Sequence, residues 1–304
     1  MFERFGRSVR LAVMSRKGLL LFLACGIVWG IPYFFIKIAV EDFSAPTIIL
    51  ARTAIGALVL VPIALKRKAF LPALRKWKTV LAFALFEMIG PWWLINTAEN
   101  GHINSGLAGL LIATVPFFAM AIGYFYIGDK TAAHPKNILG LIFGFGGILL
   151  LVGIDAFTQN LELVWVGAMT LAAIGYAIAP AIASKTAPDV EMVGILSLSM
   201  AVSALFYVVP SILNPLAPGV ETPSLGGWAS LAVLGAVCSA LAFVLFFALI
   251  REVSYSRSTL ITYVNTAVAI LIGVAFGNEP FTVGMAVGLP LVAVGSYLAS
   301  RQHN

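Results

Sequence analysis

Three ionisable side chains stand in stretches otherwise built to sit in oil: Glu87, Arg52 and Lys37. Glu87 lies in LFEMIGPWWLINTAEN, residues 85–100. An ionised group at the centre of a bilayer costs about 2.5–3.5 kcal/mol even on the mildest scales, so such residues are kept where they meet a partner or a water-filled cavity. Two chemistries fit. Glu87 and Arg52 form a buried pair that only fixes helix register, or Glu87 faces a cavity. In the second case it binds an ammonium or exchanges a proton, while Arg52 or Lys37 receives a carboxylate. Lys37 lies four residues before Glu41 and can reach an interface by snorkelling.

Aromatic and proline residues cluster around these charges. Trp29, Tyr33 and Lys37 recur every four residues and share one helix face. Trp92 and Trp93 follow Pro91, and Tyr176, Tyr263 and Asn265 fall inside later apolar runs. An aromatic-lined cavity holds a flat or apolar side chain and offers cation–π contact to an ammonium. Aromatics at the membrane interface are the plainer alternative. Pro32, Pro91, Pro116 and Pro180 interrupt apolar runs, and each frees a backbone carbonyl that neighbours or cavity water must satisfy. They are candidate hinges. The histidines, His102, His134 and His303, do not pair with cysteines or acids at ligand spacing, and Cys25 and Cys238 read as small buried hydrophobes. No metal or other cofactor is expected.

The elements that position these residues follow from composition. Of 304 residues 61% are hydrophobic and 11% charged, with mean hydropathy +1.00. Soluble domains average about 45–50% apolar and about 25% charged. Crossing the hydrocarbon takes about 20 apolar residues per helix. Ten runs meet this: roughly 18–39, 45–65, 79–98, 104–127, 137–154, 162–184, 191–213, 227–250, 258–277 and 281–299. The expected fold is an all-α polytopic membrane protein of ten transmembrane helices, without a soluble domain. Of the 19 Lys and Arg residues, all but Lys37 and Arg52 fall on one side of the membrane if both termini are cytoplasmic. The opposite loops carry Glu41, Asp42, Glu99, Asp155, Glu162, Glu221 and Glu279. That distribution explains the net charge of +6 without nucleic acid. The basic segment 1–17 has no cleavage site of a signal peptide.

The two halves echo each other at an offset of about 150 residues. PYFFIK in span 1 answers PAIASK in span 6, each a proline followed five residues later by lysine. GDKT at the end of span 4 answers GNEPFT at the end of span 9, and LGLIFGFGGILLLVG in span 5 answers VGLPLVAVGSYLAS in span 10. Repeats at 18–154 and 162–299, each with an odd number of spans, must lie upside down relative to one another. Inverted repeats build a site near the midplane that opens to either side. The small residues of spans 5 and 10 permit close helix packing, either within the chain or in a homodimer.

WGIPYFFIK, ARTAIGALVLVPIALKR, AGLLIATVPFFAMAIGYFYIGDK and LGLIFGFGGILLLVG resemble the duplicated unit of the EamA-type transporters of the drug/metabolite transporter superfamily, and TYVNTAVAILIGVAFGNEPFT is similar to part of the second copy. The resemblance covers nearly the whole chain. It implies a carrier in the inner membrane that works by alternating access, mostly as an exporter of amino acids and other small metabolites. Two positions depart from the family pattern: Thr266 stands where relatives often have proline, and LIAT precedes Pro116 where many have asparagine. The residues favour a neutral or aromatic amino acid as cargo, with a proton as candidate coupling ion and the bilayer as the other partner. An exporter of apolar cationic drugs is the alternative. A polytopic membrane enzyme stands further back, because no nucleophile–base pair is visible. The chain is expected as monomer or homodimer.

Overall fold

The computed structural model describes residues 15–99, 102, 111–152, 163–253, 255–276 and 283–300. Helices dominate; a single isolated bridge, Phe43 to Leu216, is the only β pairing among the described residues. Short turns aside, the apolar helices are α1 (Arg16–Gly30 and Pro32–Asp42, joined at Ile31), α2 (Ala45–Lys66), α3 (Trp77–Ala98) and α4 (Val115–Ile127). Then follow α5 (Pro135–Val152), α6 (Leu163–Thr186), α7 (Met192–Leu213), α8 (Leu225–Val253), α9 (Ile261–Phe276) and α10 (Val283–Ser300). Six of them, α1, α2, α3, α6, α7 and α8, are long and apolar enough to cross a membrane, and the others are shorter apolar helices. Much of the stretch expected as the first half of span 4 falls outside the described residues.

Start signals are local. Ser15, Ser44 and Ser224 accept hydrogen bonds from the backbone N–H three residues on, which satisfies one of the open donors of a first turn. Beyond the caps these helices are apolar all round, as lipid-embedded helices are. What orders them is small-residue packing. The buried face of α6 is largely alanine (Ala168, Ala172, Ala173, Ala177, Ala181, Ala183), which lets α3 and α4 approach closely.

The contacts between helices follow a two-repeat scheme. α1 packs against α8 and α9, and α6 packs against α3 and α4. α2 lies on α7, and α5 lies on α10. Exchanging the first five helices for the last five maps this pattern onto itself. The glycines of α5 and α10 serve this contact inside the chain: a Cβ on Gly147 would stand 2.7 Å from the Val292 nitrogen, and one on Gly295 2.3 Å from the Gly144 nitrogen.

A second correspondence is a defect. α3 contains a π-helical turn at Ala84–Ile89, and α8 contains one at Ala236–Leu241, the equivalent place in the second half. Such one-residue insertions concentrate at functional sites because they free carbonyls and re-aim side chains. Here side-chain donors, one local and two from other helices, meet the carbonyls. The Tyr207 hydroxyl donates to the Ile89 carbonyl (2.7 Å), the Ser239 hydroxyl to the Leu234 carbonyl (2.8 Å), and the Trp29 indole N–H to the Cys238 carbonyl (3.2 Å).

The four prolines behave differently from one another. α1 is broken at Pro32 and the chain turns at Ala113–Thr114 just ahead of Pro116. Pro91 follows the π turn of α3, and α6 runs unbroken through Pro180.

Candidate functional site

Between the two halves lies a cavity of about 140 Å³. One water needs about 10–15 Å³ on this measure, so the space takes several waters or one small metabolite. The π turn of α3 borders it, and that of α8 lies beside it. The first carries Glu87 into its lining, and the second presents Ser239 to Arg52. Glu87 is 5% exposed, and its Oε2 is buried without a hydrogen-bond partner among the described residues. Arg52, 8% exposed, lays its guanidinium over the Trp92 ring, 4.0 Å from the centroid, and its Nε donates to the Ser239 hydroxyl at 3.4 Å. A guanidinium laid on an aromatic face is held in a fixed orientation.

Glu87 and Arg52 line one cavity, yet the buried ion pair considered from the sequence is not formed. The ion pairs among the described residues are Lys17 with Glu252 and Arg67 with Glu191, and Glu87 takes part in neither. The site therefore presents an acid and a base to the same space.

Aromatic walls complete it. Trp29 meets Phe243 edge-on at 5.3 Å and Phe246 at 4.9 Å, and all three line the cavity with Trp92 and Tyr176. Thr259, just ahead of α9, with Thr262 and Asn265 in its first turns, forms a polar strip spaced three residues apart, and Asn96 adds an amide from α3. The Asn96 amide donates back to the Trp92 carbonyl (2.7 Å), which fixes that end of the wall.

Of the residues singled out from sequence, Glu87, Arg52, Trp29, Tyr176, Asn265 and Pro32 line the cavity. Tyr263 does not. It is fully buried on the opposite side of α9, against Gly144, with its hydroxyl 3.4 Å from the Leu141 carbonyl. Two positions before Asn265 on a helix, it points away from the face that Asn265 shares with Thr262. Lys37 is exposed and outside the lining. The side chain of Tyr33 lies outside the described residues. Pro91 packs on α6 at Gly175, and Pro116 borders a separate small pocket with Asn137 and Arg257.

Sequence reading missed Phe243, Phe246 and Asn96, which sit in apolar runs with nothing to mark their direction. It also grouped Trp92 with Trp93. Consecutive helical residues point about 100° apart, and here Trp92 turns inward (5% exposed) while Trp93 faces out (45%). Sequence reading also missed Thr259 and Thr262, although their three-residue spacing from Asn265 marks one helix face.

Comparison with known proteins places this geometry in context. A family model described as "EamA-like transporter family" matches residues 16–153 and 163–301. The inner membrane transporter YedA of Escherichia coli (strain K12), itself uncharacterized, is 27% identical over 281 residues, covering 90% of this chain and 89% of its own. A probable terminal-alkyne amino-acid exporter of Streptantibioticus cattleyicolor is 22% identical over 277 residues, covering 90% and 87%. A solved crystal structure superposes with a TM-score of 0.76 at 18% identity, covering 93% of this chain and 97% of its own, a likeness of fold.

Proposed function

Because the chain belongs to the EamA-like transporter family, we propose that it is a multi-pass inner membrane carrier exporting small zwitterions, foremost neutral or aromatic amino acids. One observation carries the reading: a buried acid on the π turn of α3 and a buried base on α2, in contact with the π turn of α8, line one cavity at the junction of the two halves. An α-amino acid presents the complementary pair, its ammonium to Glu87 and its carboxylate to Arg52. Its side chain then rests among Trp29, Trp92, Phe243 and Phe246. The names of relatives that export amino-acid compounds agree with this cargo.

The topology belongs to the same reading. Ten spans with both termini cytoplasmic put nearly all Lys and Arg residues inside, and five spans per half invert the second repeat, so that one cavity serves both faces in turn. Glu87 is also the group placed to exchange a proton with the cavity as cargo leaves, which would couple export to the proton gradient.

Reconstitution tests this. Vesicles containing the protein and loaded with unlabelled leucine or phenylalanine should accumulate the labelled amino acid by counterflow, whereas protein-free vesicles should not. No counterflow with any neutral or aromatic amino acid would refute the cargo. The apolar, aromatic lining also favours a second reading, a lipophilic cation held by Glu87 alone, and that cargo would be carried equally well after Arg52→Gln.

A further inference from the structure

The repeated proline–lysine motif stands in two different states in this one structure. In α6 the helix runs straight through Pro180, and Lys185 at its end reaches across to α4. There its Nζ donates to the Tyr126 carbonyl at 2.5 Å and lies 3.9 Å from the centroid of the Tyr126 ring. Tyr126 sits in the final turn of α4, before Gly128 turns left-handed (φ 82°). Lysine at a helix C-terminus supplies donors to carbonyls that have no partner in the helix, and the helix dipole favours its charge there.

In α1 the same motif is released. The helix breaks at Pro32, and its second segment leans on the start of α8, where Asp42 holds the Ser224 backbone N–H (3.0 Å) and hydroxyl (2.6 Å). Lys37 is exposed and has no hydrogen bond or ion pair among the described residues. The helix that corresponds to α4 is α9, and its final turn is close by. Phe34, one turn before Lys37 on the same face, already meets Phe276 with ring centroids 6.2 Å apart.

We propose that Lys37 and Lys185 are paired latches of a two-ended gate: each docks on the final carbonyls of the fourth helix of its opposite half, and only one is docked at a time. The latch at Lys185 and Tyr126 holds one end shut here. When that end opens, α1 straightens across Pro32 and Lys37 docks on the last turn of α9, around Val274–Phe276. The proposal rests on the alternating-access reading above but not on the identity of the cargo. Helix register supplies the selectivity: the lysine follows its proline at the same distance in both motifs, so straightening at the proline determines where the ammonium lands.

The test is sided labelling, which needs no substrate. In a background where Cys25 and Cys238 are serine, Thr262→Cys places a reporter in the cavity, and a membrane-impermeant maleimide is applied to right-side-out and inside-out vesicles. Lys185→Met should release the closed end and raise labelling from that side about tenfold relative to the other, the scale of one charged hydrogen bond. Lys37→Met should shift the ratio in the opposite direction, and Lys→Arg at either place should restore the parent ratio. Monodisperse elution in detergent identifies variants that fold. Shifts in the same direction, or no shift from Lys37→Met in a folded protein, would overturn the latch while leaving amino-acid counterflow untouched. Labelling from one side alone in every variant would overturn it together with alternating access.

Discussion

Where it stands Glu87 lowers stability, since a buried carboxyl oxygen with no donor among the described residues costs about 1–3 kcal/mol relative to a satisfied group. Its retention makes sense through what enters the cavity. Glu87→Gln keeps the shape and removes the titrating charge, so counterflow of a neutral amino acid should weaken about tenfold to a hundredfold in affinity, the range of a charge-assisted contact. The pH dependence of gradient-driven export should flatten in the same variant, measured in vesicles across pH 5.5–8; an unchanged profile would assign coupling elsewhere. Arg52→Gln should cost a carboxylate-bearing cargo a similar factor but leave the corresponding amine, without its carboxyl, unaffected. Trp92→Ala should mimic part of the Arg52 defect, because the ring holds the guanidinium in place. Both charges were legible in the sequence because burying a charge in lipid is costly enough to be noticed one residue at a time. Phe243 and Phe246 were not, since an aromatic residue in an apolar helix costs nothing on either face.

At the scale of helices, two adjacent glycines carry opposite predictions. A Cβ on Gly147 would collide with the backbone of α10, at the Val292 nitrogen and the Gly288 carbonyl (2.8 Å), whereas one on Gly146 meets nothing within 4 Å. Gly147→Ala must therefore separate two packed helices, at about 1–3 kcal/mol for overpacking of this kind. Gly146→Ala should be neutral or stabilising by up to about 1 kcal/mol, the helix-propensity difference between the two residues. Thermal unfolding in detergent should rank the parent and Gly146→Ala above Gly147→Ala. The sequence showed that spans 5 and 10 were built for close approach, but left open whether to each other or to a second copy; the alignment of glycine against backbone in three dimensions answers the first. The π turns were less legible still. Pro91 signalled a disturbance near Glu87, but α8 has the same turn with no proline inside it, held by the hydroxyl of Ser239 on the Leu234 carbonyl. A hydroxyl bonding five residues back leaves no pattern that spacing alone reveals.

For the whole molecule, the repeats are better described as interlocked than as adjacent. α1 finds its main partners in α8 and α9, α6 in α3 and α4, and the pairs α2–α7 and α5–α10 cross between halves as well. Neither half could bury its small-residue faces alone, and the cavity exists only between them. The repeat motifs in the sequence pointed to a two-fold plan but did not say whether each unit folds on itself or through its partner, because an offset between similar segments carries no information on contacts. The interlocking has a measurable consequence. Residues 1–154 expressed without the remainder should leave α1 to α5 without their main partners, and their yield as monodisperse protein in detergent should fall by about tenfold or more, as for subunits with no stable isolated fold. Co-expressed with residues 155–304, the same fragment should recover, co-purify with its partner and restore counterflow, since the cut severs no helix among the described residues. A first half that accumulates alone as a monodisperse species would mean that contacts within the repeat suffice, and the cavity would then have to be regarded as the seam between two finished domains.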